Sequence, residues 1–183
     1  MKGKGVSGGA LTVINAIATG FGSAFGIGLE TAAEVTLLDE AGVTLHVNGQ
    51  EADAGFAAGL LAGFKQAFPD VEFSGADVST ASNIPQSKGL KSSSAAANAI
   101  LSAAADAAGI SADPLELVRI GAKASIACGV SVTGAFDDAS ACMLGGLVFT
   151  DNKNMQLLEH RKMPEEYAAV IHLPDGEIPT LAF

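Results

Sequence analysis

Tryptophan is absent from the chain, tyrosine occurs once, and nine phenylalanines complete the aromatics among 183 residues. A core with so few rings must close around small side chains, which brings backbones near each other. Basic residues are scarce as well: 10 Lys and Arg stand against 20 Asp and Glu, for a net charge of −10. After Lys4 no basic residue occurs until Lys65. That balance argues against a nucleic-acid binder, which needs surplus cations to displace counterions from phosphates. It does not exclude a nucleotide ligand, which needs only local donors.

Cysteine occurs twice, at Cys128 and Cys142, with no CxxC pattern. The expectation is two buried thiols in a reducing compartment, with no disulfide framework and no zinc site. His46, His160 and His172 form no HxxxH or HExxH pair, so a zinc hydrolase has no support. Residues 5–29 carry no charge and follow Lys2 and Lys4, as in a secretory leader. Seven glycines and five polar residues (Ser7, Thr12, Asn15, Thr19, Ser23) interrupt that stretch. A spanning helix wants about 20 mostly apolar residues. The segment therefore reads as buried strand and loop of a cytoplasmic protein, with a secreted one as the alternative.

What the chain has in quantity is alanine, 34 residues, and glycine, 22 residues. Glycine shows no three-residue period, which excludes collagen. A hydrophobic fraction of 49% with 16% charged residues is globular and excludes wholesale disorder. The length suits one domain, or one domain and part of a second, with a core that needs no staples.

Patterning predicts a short strand at Thr44–Val47 closed by the turn pair Asn48-Gly49. A helix follows from about Asp53 to Phe68, with Phe56, Leu60, Phe64 and Phe68 recurring every four positions. Val71–Val78 is predicted as a strand and Ser79–Lys91 as a polar loop. A second helix runs from Ser92 to about Ala108 and stops at Gly109. A third opens on Asp113-Pro114-Leu115-Glu116, an acidic cap followed by proline at the first helical position, and runs to about Cys128. A short helix after Asp137-Asp138 ends at Gly145-Gly146. Strands are predicted at Leu147–Phe149 and Tyr167–Leu173.

The P-loop pattern GxxxxGK[ST] does not occur, and GxGxxG fails because Gly26 falls one residue late after Gly20 and Gly22. The strongest local signal is Pro85-Gln86-Ser87-Lys88-Gly89-Leu90-Lys91-Ser92-Ser93-Ser94-Ala95-Ala96. It is a loop entering a helix whose first turn is all small residues. The first amides of a helix lack internal partners, and small side chains let a phosphate approach them. A serine-rich cap on an alanine-rich helix would look the same. The other constellation is Val132-Thr133-Gly134-Ala135-Phe136-Asp137-Asp138-Ala139. Two adjacent carboxylates beside a glycine loop suit a base or a metal, but neighbours on a helix do not share a face. Helix capping by Asp137 is the alternative.

Together these segments resemble the GHMP kinase superfamily, whose second motif reads roughly P-x-x-x-G-L-G-S-S-A-A. Pro85, Gly89, Leu90, Ser92, Ser93, Ala95 and Ala96 match it; Lys91 stands for the usual glycine and Ser94 for the first alanine. GLKSSSA resembles the variant of archaeal-type shikimate kinases. The stretch Gly9–Gly20, with Val132–Ala139 followed by Gly145-Gly146, is similar to that family too, so the resemblance extends from about Gly5 to Asp151.

The resemblance implies an α+β GHMP kinase fold. Residues 1–151 would form an N-terminal ATP-binding domain similar to domain 2 of ribosomal protein S5. Residues 152–183 would open a ferredoxin-like C-terminal domain, so the chain would be a truncated two-domain kinase. The implied activity is transfer of the ATP γ-phosphoryl to the 3-hydroxyl of shikimate, with Mg²⁺, in chorismate and aromatic amino-acid biosynthesis. Homoserine or mevalonate as the acceptor, a folded but inactive fragment, and an RNA-binding module are the alternatives; the negative charge counts against the last.

By the same resemblance, Pro85, Lys88, Gly89, Leu90, Lys91, Ser92, Ser93, Ser94 and Ala95 would cradle the triphosphate. Ser93 would ligate Mg²⁺; Ala127 stands where the superfamily places an acidic ligand, so the resemblance names no second one. Asp138, seven residues before Gly145, would take the proton of the attacking hydroxyl, with Asp137 as the competing candidate. Asn15, Thr133 and Gly134 are candidates for holding shikimate. Its carboxylate asks for a cation or clustered N–H donors; Arg119 and Lys123 are available, or are solvated surface charges. No membrane or nucleic-acid partner is expected.

Overall fold

The computed structural model describes residues 1–164 and 166–173; the end of the expected second domain, 174–183, lies outside them. The uncharged N-terminal stretch forms most of a long antiparallel hairpin, β1 (Lys2–Ile14) and β2 (Phe21–Leu38), paired from Lys2 opposite Thr36 to Ile14 opposite Ser23. Among the described residues no helix is long and apolar enough to cross a membrane. The other edge of β2 is shared. Its second half pairs with β5 (Gly75–Ser82) and its first half with β6 (Leu147–Asp151), both antiparallel.

β3 (Gly42–Val47) lies parallel to β5. It turns back into β4 (Gln50–Glu51) through Asn48-Gly49, where φ is 50° and 81°. Two positive φ values in a two-residue hairpin loop match the right-handed twist of the strands, which is why Asn-Gly stands there. β7 (Gln156–Arg161) pairs with β6, so the sheet continues across residue 151 to Arg161.

Helices cover one face. They are α1 (Gly55–Ala67), α2 (Ser92–Ala107), α3 (Pro114–Ala127) and α4 (Phe136–Leu144). α2 lies directly on the hairpin, and here the alanine and glycine content acts. A β-carbon at Gly3 would run into the backbone of Ala103 and Ala107, and one at Gly5 into that of Ala99. Ala95, Ala99 and Ala103 are fully buried. The main core gathers Val35, Val78, Leu60, Phe64 and Leu101 between the sheet and α1–α3. α3 starts as its sequence predicts: the Asp113 side chain accepts from the Leu115 N–H, with Pro114 at the first position.

Three expectations are corrected. The strand predicted from Val71 begins at Gly75 and runs on to Ser82, into the predicted loop. Val71 and Phe73 are buried in the core from a loop, which is what mimicked strand periodicity. Residues 167–173 form no strand; the sheet edge is taken by β7, and Val170 is 97% exposed. Of the two free thiols, Cys142 is buried but Cys128 is exposed, because it caps the C-terminus of α3 at the surface.

Candidate active site

The segment before α2 has an alternating backbone. φ is positive at Ser87 (54°), Gly89 (73°) and Lys91 (63°), and not at the residues between. Alternation of this kind turns successive N–H groups toward one concavity, the geometry of an anion-binding nest. Lys91 is the N-cap of α2 and offers no side-chain cap. The Ala95 N–H is the donor to the Lys91 carbonyl, at 3.0 Å, so the amides of Ser92, Ser93 and Ser94 precede the helix's own ladder. Leu90 is buried beneath the loop, and its carbonyl accepts from the Ala10 N–H of β1 at 3.3 Å.

α4 begins after Gly134 (φ 76°) and Ala135 (φ 46°), without a side-chain cap. Asp137 and Asp138 fall in its first turn, 3% and 8% exposed. Asp137 therefore does not cap the helix. Its Oδ1 accepts from Asn152 Nδ2 at 2.8 Å, and Asn152 Oδ1 accepts from Thr150 Oγ1 at 2.7 Å. The carboxylate packs against Gly22 of β2, where any β-carbon would collide with it. Asp138 turns elsewhere: Oδ1 accepts from Thr12 Oγ1 at 3.0 Å, and Oδ2 pairs with Lys91 Nζ at 3.0 Å. Thr12 sits at an irregularity in the β1–β2 register, where the strand bends.

Burial pushes the Asp138 carboxyl above the usual carboxylate range, and the charge of Asp137 pushes the same way. Lys91 and the Thr12 hydroxyl pull it down without reversing the direction. Burial, then Asp138, pushes the Cys142 thiol up, which leaves it protonated and inert.

These elements enclose a cavity of about 230 Å³. Of the residues singled out from the sequence, Asn15, Gly89, Leu90, Lys91, Ser92, Ser93, Ser94, Thr133, Gly134, Asp137 and Asp138 line it. Pro85 and Lys88 lie outside its lining, and Ala95 is fully buried in the small core beneath. Arg119 and Lys123 are also outside it: Arg119 Nε donates to the Met155 carbonyl at 3.1 Å, and Lys123 is exposed.

The sequence reading missed Thr12, Gly22 and Asn152, and also Asn98. Asn98 is fully buried in α2 and donates to the Ala139 carbonyl at 2.8 Å and to Ser7 Oγ at 3.3 Å. Ser7 Oγ in turn donates to the Cys142 carbonyl at 3.0 Å. This network ties β1 and α2 to the backbone of α4 just past Asp138. The available signal was an amide standing alone in an alanine stripe.

A nest and a helix start lined by serines fit a polyphosphate. Among the described residues no cluster of three His, Cys, Asp or Glu could hold a metal by itself. Mg²⁺ does not ask for one, since it is commonly bound by one or two carboxylates together with substrate phosphates. Ser93, on the same cavity as the nest, fits that shared kind of site.

The chain is 46% identical over 171 residues to a shikimate kinase of Methanothrix thermoacetophila, covering 93% of this chain and 58% of that protein. It is 46% identical over 176 residues to a shikimate kinase of Methanocella arvoryzae, covering 96% and 58%. The chain thus spans somewhat over half the length of the curated relatives it matches. The mevalonate kinase of Methanococcus jannaschii superposes with a TM-score of 0.67 at 17% identity, covering 91% of this chain and 56% of that one, which establishes the α+β fold. The family described as the GHMP kinases N terminal domain matches residues 54–146, a span that holds both the loop at 85–91 and the Asp137–Asp138 pair. With the nest, the serine-lined helix start and the buried carboxylates inside that match, the chain belongs to the GHMP kinases.

Proposed function

We propose that this chain carries the phosphate-binding and base-bearing part of an ATP-dependent shikimate kinase. The observation that carries the reading is the meeting of two distant segments on one cavity: the 87–94 loop and helix start, and Asp138. The similarity to proteins named shikimate kinase supports the choice of acceptor. Asp138 takes the proton of the acceptor hydroxyl while that oxygen bonds to the γ-phosphorus and ADP leaves. Phosphoryl transfer asks mainly for positioning and charge stabilisation, and the nest amides with Ser92–Ser94 supply donors for the phosphates. Ser93 and the phosphates would hold Mg²⁺, which would supply charge neutralisation there. Asn15, Thr133 and Gly134, on the same cavity, are assigned to the acceptor. Two free thiols suit a cytoplasmic setting.

The test is ADP release from Mg-ATP with shikimate, homoserine or mevalonate, with the product read by ³¹P NMR. Shikimate-dependent release and a phosphate ester at the 3-hydroxyl are expected. Turnover with another acceptor and none with shikimate would replace the substrate; no turnover with any acceptor would overturn the assignment of an activity to this chain.

A further inference from the structure

Lys91 combines a backbone that favours glycine with a side chain that reaches the candidate base. Its φ of 63° and ψ of 35° lie in the left-handed region, which penalises any residue with a β-carbon. It does not hold that place as a cap, since its side chain makes no capping bond to α2. Instead Nζ lies 3.0 Å from Asp138 Oδ2, with the lysine side chain only 23% exposed. A sparsely populated backbone conformation kept at a cavity is a reason to look for function in the side chain that occupies it.

We propose that Lys91 is a positioning residue for Asp138: from the last residue of the anion-binding loop it grips Oδ2 and couples the orientation of the carboxylate to the loop. This rests on the reading of the cavity as a phosphoryl-transfer centre. The groups around Asp138 make the need for a cation plain. Asp137 precedes it on α4, and the Cys142 thiol follows one turn later. β1 presents the uncharged Thr12 to Asp138, whereas Gly22 of β2 and Asn152 after β6 meet Asp137, and α3 brings the apolar Val118 and Ala122 into a cluster with Phe136 and Ala139 of α4. Lys91 is the charge that opposes burial and Asp137. Thr12 fixes Oδ1 at the same time, so the carboxylate is held at both oxygens. Each oxygen still has a lone pair for an acceptor hydroxyl.

The experiment uses the full chain and the variants Lys91→Gly, Lys91→Met and Lys91→Arg. Asp138 is followed in the ligand-free protein by its protonated-carboxyl infrared band, assigned by its loss in Asp138→Asn, and kcat/KM is followed against pH. Removing an opposite charge at this distance is expected to raise the midpoint by about one to three pH units in Lys91→Gly and Lys91→Met, with the acid limb of kcat/KM moving the same way. Lys91→Arg, which keeps a cation within reach, is expected to move it less. Glycine suits the backbone at this position, so Lys91→Gly is expected to melt no lower than the parent; Lys91→Met carries the test if it does not fold. A midpoint unchanged in the glycine and methionine variants would overturn the proposal. The infrared titration needs no substrate, so failure to phosphorylate shikimate would overturn the functional reading alone.

Discussion

Asn152 donates its side-chain amide to Asp137 Oδ1 across 2.8 Å, joining the turn after β6 to the first turn of α4. The bond separates two neighbouring carboxylates by role. Asp137 is spoken for by Asn152 and walled by Gly22, whereas Asp138 meets Thr12 and Lys91. Residues i and i+1 on a helix face different directions, and the partners that each direction meets come from other elements.

Gly22→Ala places a β-carbon where the Asp137 carboxylate lies. The carboxylate must shift, and with it the bond to Asn152. We expect a loss of about 1–3 kcal/mol in urea unfolding, the usual range for an overpacked interior. A fall in kcat is expected with it, since α4 also carries Asp138. An unchanged urea midpoint would show that the contact relaxes without effect.

Asp138→Asn removes the proton acceptor while leaving the shape of the side chain. Turnover should fall by about 10²–10⁴-fold, the range for a general base. Nucleotide binding, read by calorimetry, should persist because the nest amides and Ser92–Ser94 are retained, although Lys91 loses its partner. Equal losses from Asp137→Asn and Asp138→Asn, with nucleotide binding intact in both, would count against assigning the base to Asp138.

The same variant should stabilise the fold, and more so as pH rises. The folded carboxyl of Asp138 lies above its unfolded value, mainly through burial. An acid raised in this way destabilises the native state once it ionises. The penalty is absent below the unfolded value and complete above the folded one. Thermal melts of Asp138→Asn and the parent should therefore converge at acid pH and separate at neutral pH, with the variant higher. The opposite order at neutral pH would mean that the pair with Lys91 outweighs burial.

Asn98→Ala leaves the Ala139 carbonyl and the Ser7 hydroxyl without their buried donor. A cost of about 0.5–1.5 kcal/mol is expected for the lost hydrogen bonds, since Ser7 still donates to the Cys142 carbonyl and Ala139 stays within α4. Asn98→Asp should be worse, because it places a carboxylate against a carbonyl. Chemical denaturation of both variants gives the comparison.

Much of this fold could be read locally. The four-residue spacing of Leu60, Phe64 and Phe68, the cap at Asp113-Pro114 and the turn Asn48-Gly49 each depend on a few adjacent residues, and the structure has an element at each. Where a signal was produced by burial alone it misled: Val71 and Phe73 look like strand residues but enter the core from a loop. The strand Gly75–Ser82 is rich in small and polar residues, and its place between β2 and β3 is visible only in the ladder.

The sequence by itself determined the chemistry on offer: an acidic, alanine- and glycine-rich chain with a serine-lined helix start and two adjacent aspartates. Backbone preference and hydrophobic period act over a handful of residues, so they are written in the order of the chain. Only the tertiary structure decided that Lys91 reaches Asp138, that Thr12 holds its other oxygen, that Asn152 takes Asp137, and that Asn98 and Ser7 fasten α4 beneath them. Those contacts join residues 15 to 135 positions apart. They depend on how closely α2 and α4 settle on the β1–β2 hairpin, a distance fixed by glycines such as Gly3, Gly5 and Gly22 that leave room for another backbone or a carboxylate.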